Sequence, residues 1–208
     1  MSTLVRSPQQ LRSALVESGR RVLSLRVLPP RIGLFYWRAY RHARRTGDHF
    51  SLDSAARPAE LAGLLALAHQ RNSIVELGTG TAWSAIALTL ADGARRVISY
   101  DPCVRPQREA YLGLVGPGVR ERVELRDYPD SHGPHPGDPP VQLLFIDSSH
   151  DADSVLTAFS AWRDALASGA IVAFHDYDHP VYPGVRQAVA ELALSGSQSG
   201  GLFVWRAP

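Results

Sequence analysis

Two short runs carry ionisable side chains at spacings that suit proton or metal chemistry. Leu143-Leu-Phe-Ile-Asp147-Ser-Ser-His150 is an apolar, β-type run that ends in a carboxylate, with an imidazole three residues on. Ile171-Val-Ala-Phe-His175-Asp176-Tyr177 has the same layout, with imidazole and carboxylate adjacent. In a sheet built from alternating strands and helices, functional groups collect at the carboxyl ends of the strands. Asp147 and the His175–Asp176 pair then lie on neighbouring strand ends, close enough to share a metal ion or a proton network. The plainer alternative makes Asp147 a helix cap and leaves His175 bonded within the sheet. Two such clusters at equivalent positions argue against it.

A third run supplies a cradle. Ile74 and Val75 read as a buried strand, Gly78 and Gly80 break it, and a helix-compatible segment starts at Thr81. A strand, a glycine turn and a helix aim free backbone N–H groups at whatever sits above the turn. Glycines there let a ligand approach the backbone closely. A dinucleotide site needs G-x-G-x-x-G, and the third glycine position, counted from Gly78, is Trp83. Glu76 at the strand end would also repel a pyrophosphate. A carboxylate tolerates a cationic ligand, and S-adenosylmethionine carries both a sulfonium and an ammonium group. Arg96-Val-Ile-Ser-Tyr-Asp101 reads as the next strand, ending in an acid 25 residues after Glu76. An acid there accepts hydrogen bonds from ribose hydroxyls.

The elements that position these runs follow from periodicity. Ser7-Pro8-Gln9-Gln10 suits a helix start, Pro29-Pro30 ends that region, and a second helix runs to about Thr46. Pro58 opens a third helix, so helices fill most of the chain before the first strand. After Asp101 the order is helix (about 106–114), strand (123–126), loop, strand (141–147), helix (about 152–166) and strand (170–174). A helix (about 183–194) and a strand (202–205) complete it. The loop 127–140, with five prolines and two glycines, replaces a helix and is either a shortened crossover or a mobile lid. Its His132 and His135 read as solvated. Strands alternating with helices argue for an α/β fold with a mostly parallel sheet wrapped on both faces. Residues 1–55 form a helical extension that caps the site or joins two subunits, and residues 56–208 form the binding domain.

Composition narrows the partners. No apolar run approaches ~20 residues, so nothing spans a membrane. The start of the chain lacks a secretory pattern, and the single Cys103 fits a reducing cytoplasm. All 22 basic residues are arginine, ten of them within residues 1–45 against one acid, Glu17. That basic arm suits anionic partners, RNA among them, or a solvated face packed on its own acidic domain.

Glu76-x-Gly78-x-Gly80 resembles the first motif of the class I S-adenosylmethionine-dependent methyltransferases, which have a Rossmann-like fold. Asp147-x-x-His150, His175-Asp176-Tyr177 and Tyr182-Pro-Gly-Val-Arg-Gln-Ala-Val189 are similar to the cephalosporin-hydroxylase-type and macrolide-sugar O-methyltransferase group, and more distantly to catechol-type enzymes. The resemblance implies methyl transfer from S-adenosylmethionine to an oxygen or nitrogen of a small molecule, and the apolar positions of the N-terminal extension suit a homodimer. It implies cofactor contacts at Glu76, Gly78, Thr79, Gly80, Ser84, Asp101, Asp127 and Asp147. His150 becomes the base, with Asp147 beside it, and a divalent ion, where one is used, falls to Asp147, His175 and Asp176. His175 stands where metal-dependent relatives carry an acid. An imidazole there weakens the case for Mg²⁺ and shifts it toward Mn²⁺, Fe²⁺ or Zn²⁺.

Three rivals stay open: a nicotinamide oxidoreductase, an RNA methyltransferase using the basic arm, and a binding module without turnover. Trp83 opposes the first. For the second, Asp147-Ser-Ser-His150 stands where amino-methylating enzymes carry an [D/N]-P-P-[Y/F]-like motif, and Cys103 is misplaced for a pyrimidine nucleophile.

Overall fold

The computed structural model describes residues 24–199 and 201–208. The helix expected from Ser7 lies outside them. Helix α1 (Pro30–Thr46) has proline in its first turn, where a missing N–H costs nothing, and stops at left-handed Gly47 (φ 71°). The short α2 (His49–Ser54) is capped by the Asp48 carboxylate, which accepts from the Ser51 N–H at 3.1 Å. Helix α3 (Pro58–Leu67) leads into β1 (Ser73–Leu77). Then come α4 (Trp83–Ala91), β2 (Arg96–Tyr100), the short helices α5 (Arg108–Leu112) and α6 (Pro117–Arg120), and β3 (Val123–Arg126). The chain continues through β4 (Val141–Ile146), α7 (Ala152–Trp162), β5 (Leu166–Phe174), α8 (Pro183–Glu191), β6 (Ser197–Ser199) and β7 (Leu202–Arg206).

The strands form one sheet in the order β3-β2-β1-β4-β5-β7-β6, parallel except for the closing antiparallel pairs with β7. β1 and β4 lie at its centre and are buried on both faces over most of their length, as strands covered by helices on either side must be. On one face Ile32, Phe35 and Ala39 of α1 pack with Trp83, Ile86 and Leu88 of α4. On the other, Val155, Phe159 and Trp162 of α7 pack with Val185 and Val189 of α8. The N-terminal helices therefore share a core with the sheet.

Register brings the site together. Leu77 pairs with both Tyr100 and Ile146, and Ile146 with Phe174. The next residues, Gly78, Asp101, Asp147 and His175, continue the ladder through Gly78 N–H to Tyr100 O, Asp147 N–H to Leu77 O and His175 N–H to Ile146 O. All four thus stand in one row at the carboxyl edge of the sheet.

Several boundaries differ from the sequence reading. Helices α2 and α6 were not foreseen. Strand β5 starts at Leu166 rather than 170, and α8 ends at Glu191 rather than about 194. Loop 127–140 is a shortened crossover tied at several points. Arg126 grips Asp138 with two nitrogens (2.6 and 2.8 Å), and the Trp162 indole donates to Asp130 O at 2.7 Å. His132 and His135 pack edge-on against Tyr128.

Candidate active site

The glycine loop rests on a buried polar chain. Glu76 alternates onto the α4 face of the sheet, has no exposed surface, and accepts hydrogen bonds from the Ser84 and Ser99 hydroxyls. Ser99 in turn meets Thr79 at 2.7 Å. Glu76, Thr79 and Ser84 therefore lie under the loop, joining β1, β2 and α4. Burial pushes the Glu76 carboxyl up to about 8, the charges of Asp147 and Asp101 adding to it against the two hydroxyl bonds. Gly78 adopts φ 100°, and a Cβ there would stand 2.1 Å from the Asp147 carbonyl oxygen, so no other residue fits.

Asp101 and Asp127 meet through a residue the sequence did not single out. Arg108, buried in α5, donates to Asp101 Oδ2 (2.9 Å), Asp127 Oδ1 (3.1 Å), Gly80 O (2.9 Å) and Cys103 O (2.8 Å). Asp101 also accepts from the Gly80 N–H at 2.9 Å and the Cys103 N–H at 2.7 Å. Among the described residues Oδ1 carries only the bond from the Cys103 N–H, and Oδ2 those from Gly80 and Arg108. Above the loop, Gly80 faces the Phe50 ring, with a built Cβ 3.6 Å from it, and the Arg105 guanidinium covers Phe50 at 3.3 Å. The Ser51 hydroxyl donates to Thr81 Oγ1 at 2.8 Å. Helix α2 thus lies directly on the loop. One arginine among 22 and a phenylalanine 30 residues before Gly80 carry no sequence signal for these roles.

At the ends of β4 and β5 the predicted cluster is assembled. His175, 8% exposed, has Nδ1 2.9 Å from Asp147 Oδ1 and 3.5 Å from Asp176 Oδ2. Its Nε2 is 3.6 Å from Glu60 Oε2, a carboxylate from the first turn of α3 that the sequence reading missed. Burial alone would lower the imidazole, but Asp147, Asp176 and Glu60 outweigh it and raise His175 to about 12. Hydrogen bonds and charge from His150 and His175 hold Asp176 well below the usual carboxylate range, against its own burial. Asp176 takes a left-handed conformation (φ 53°), which aspartate tolerates and a β-branched residue would not. Its Oδ2 sits 3.1 Å from His150 Nε2. The His150 ring stacks on Tyr182 at 4.3 Å, and Tyr182 stacks on His179 at 4.6 Å. Gly184 permits this, because a Cβ there would come within 2.4 Å of His150 O.

Asp147, His150 and His175 could converge on one metal ion, each offering an atom within 4.8 Å of the others. Asp176 is outside that group and pairs with the imidazoles instead. Mg²⁺ does not fit two imidazoles and one carboxylate. The set matches a borderline ion by ligand type, but a ligating His175 would first have to lose the proton its three carboxylates retain.

Residues 75–177 match a family described as a methyltransferase domain. No curated protein matches the sequence significantly. Among solved structures, the fold is similar to the O-methyltransferase TomG from Streptomyces achromogenes, involved in tomaymycin synthesis and solved with S-adenosylmethionine. The identity is 22%, covering 74% of this chain and 82% of that one, with a TM-score of 0.57. It is also similar to CalS11, a TDP-rhamnose 3'-O-methyltransferase of calicheamicin biosynthesis (16%, 98% and 96%, TM-score 0.58). The O-methyltransferase NovP is a third (15%, 72% and 80%, TM-score 0.53). Sheet order, glycine loop and strand-end acids define a class I methyltransferase fold. With the match across residues 75–177, the chain carries a methyltransferase domain built on that fold. No helix among the described residues is long and apolar enough to cross a membrane.

Proposed function

We propose that this enzyme transfers the methyl group of S-adenosylmethionine to an oxygen of a small molecule, with His150 as general base. The central observation is the His150–Asp176 pair, 3.1 Å apart, just beyond the ends of β4 and β5 on the carboxyl edge that also carries the glycine loop. His150 Nε2 is buried 3.1 Å from the Asp176 carboxylate, whose charge favours a proton on that nitrogen and leaves Nδ1 to take one from the substrate. An alcohol or phenol needs such a base, because its neutral oxygen is a weak nucleophile. The substrate O–H proton passes to Nδ1 and the oxygen forms a bond to the methyl carbon. The carbon–sulfur bond breaks with its electron pair left on sulfur, giving S-adenosylhomocysteine. Most of the acceleration comes from holding oxygen and methyl in line.

Asp101 Oδ1 would take a ribose hydroxyl and Asp127 the adenine amino group, with Arg108 fixing both acids. Asp147, held by the His175 imidazolium, would orient the substrate hydroxyl, and no step requires a metal ion. The stacked His150, Tyr182 and His179 rings offer an aromatic wall to an apolar substrate.

Residues 24–55 act in this reading as a cap, with Phe50 and Ser51 on the loop. Val27 and Leu34, 55% and 56% exposed, give that cap an apolar edge suited to a homodimer, which light scattering tests. An unpaired, exposed Cys103 favours the cytoplasm. Calorimetric titration with S-adenosylhomocysteine, followed by a mass-shift screen of phenols and sugar alcohols for a 14-dalton gain, tests the function. Failure to bind S-adenosylhomocysteine rejects it.

A further inference from the structure

Outside the cleft, the outer face of α1 carries a groove of about 400 Å³ lined by Trp37, Arg38, Arg41, His42, Arg45 and Leu114. It shares no residue with the methyl-transfer cleft, and its volume falls in the range of small-ligand pockets. We propose that it is a second ligand site, for an organic phosphate with a flat or apolar body.

Three features support this. Arg38, Arg41 and Arg45 fall on one side of α1 at helical spacing, and none has a hydrogen bond or ion pair for its guanidinium among the described residues. Arg96 and Arg120, by contrast, are paired with Glu124 and Glu109. Among the described residues no carboxylate lines the groove, so the field they set is attractive to an anion. A guanidinium fork matches phosphate oxygens in geometry as well as charge.

The floor is aromatic and aliphatic rather than polar. Trp37 is 37% exposed, and Arg41 already lies over its ring at 4.5 Å, the arrangement in which a planar group can be sandwiched. His42 closes one side, edge-on to Tyr111 at 5.5 Å.

The test is calorimetric titration of the full chain with uridine diphosphate, uridine, inorganic phosphate and a short single-stranded oligonucleotide. Uridine diphosphate should bind, uridine should not, and phosphate should bind at least tenfold more weakly. The double variant Arg41→Gln/Arg45→Gln and the single variant Trp37→Ala should each weaken uridine diphosphate tenfold or more. Their unfolding midpoints should stay at the wild-type value, because these side chains are exposed. Unchanged affinity in both variants overturns the proposal. Phosphate binding as tightly as the nucleotide overturns the part played by the apolar floor. Binding of the oligonucleotide alone would make the surface a nucleic-acid interface instead.

Discussion

Replacing Glu76 by glutamine should flatten part of the protein's pH–stability profile. In the folded chain the carboxyl is raised from 4.5 to about 8, chiefly by burial, so it is neutral across most of the physiological range. In the unfolded chain it ionises near its ordinary value. Below pH 4.5 both states hold the proton and the residue contributes no pH dependence. Above that, the unfolded chain releases the proton first, and stability falls until the folded carboxyl also ionises near pH 8. A difference of about 3.5 units corresponds to ~5 kcal/mol at most, and to about 2–3 kcal/mol between pH 5 and 7. Glutamine has the shape of the protonated acid and can keep bonds to Ser84 and Ser99, yet it does not titrate. Urea unfolding of both proteins at pH 5, 6, 7 and 8, without cofactor, gives a difference in which all other groups cancel. That difference should favour glutamine by about 2–4 kcal/mol more at pH 8 than at pH 5. A difference constant to within about 0.5 kcal/mol would refute the buried, neutral carboxyl.

Arg108→Ala should weaken S-adenosylhomocysteine binding tenfold or more in calorimetry and destabilise the fold by about 3 kcal/mol, because it strips a buried partner from Asp101. Arg108→Lys should recover little of either, lacking the fork that reaches four oxygens. His150→Ala should lower kcat by ~10²–10⁴ with cofactor affinity unchanged, and turnover at the wild-type rate would remove His150 as the base. Gly184→Ala should reduce turnover and cost about 1–3 kcal/mol in thermal unfolding, since its Cβ would meet His150 O at 2.4 Å. Extensive treatment with EDTA should leave turnover intact, and restoration of a lost rate by Mn²⁺ or Zn²⁺ would contradict the metal-free reading.

The strand-end row was legible because each of its members closes an apolar β run. Asp101, Asp147 and His175 follow Tyr100, Ile146 and Phe174 directly, and parallel register then aligns them. Gly78 and Gly80 were legible as breaks in such a run. Residues that act across long sequence gaps were not. Glu60 reads only as the third residue of a helix begun by Pro58, and nothing local marks it as a partner of His175. Arg108 resembles every other arginine in the chain until α5 packs it under Asp101. Glu76, Thr79 and Ser84 were found by position, but their burial under the loop depends on which face of β1 meets α4. The short helix α2 has too few residues for a periodic signal to emerge.

The division expected from the sequence at residues 55/56 has a practical meaning for anyone building chimaeras. Exchanging N-terminal segments between relatives looks like a route to altered acceptor range, because the cap is contiguous in sequence. A graft made there would separate Ser51 from Thr81, Asp48 from Tyr111 and Tyr36 from Trp83, all contacts that brace the loop from the donor side. It would also leave Glu60 on the recipient side, still set against His175. The transplantable unit therefore includes Thr81, Trp83 and Tyr111 as well as the cap, and a working hybrid must carry those three positions with it.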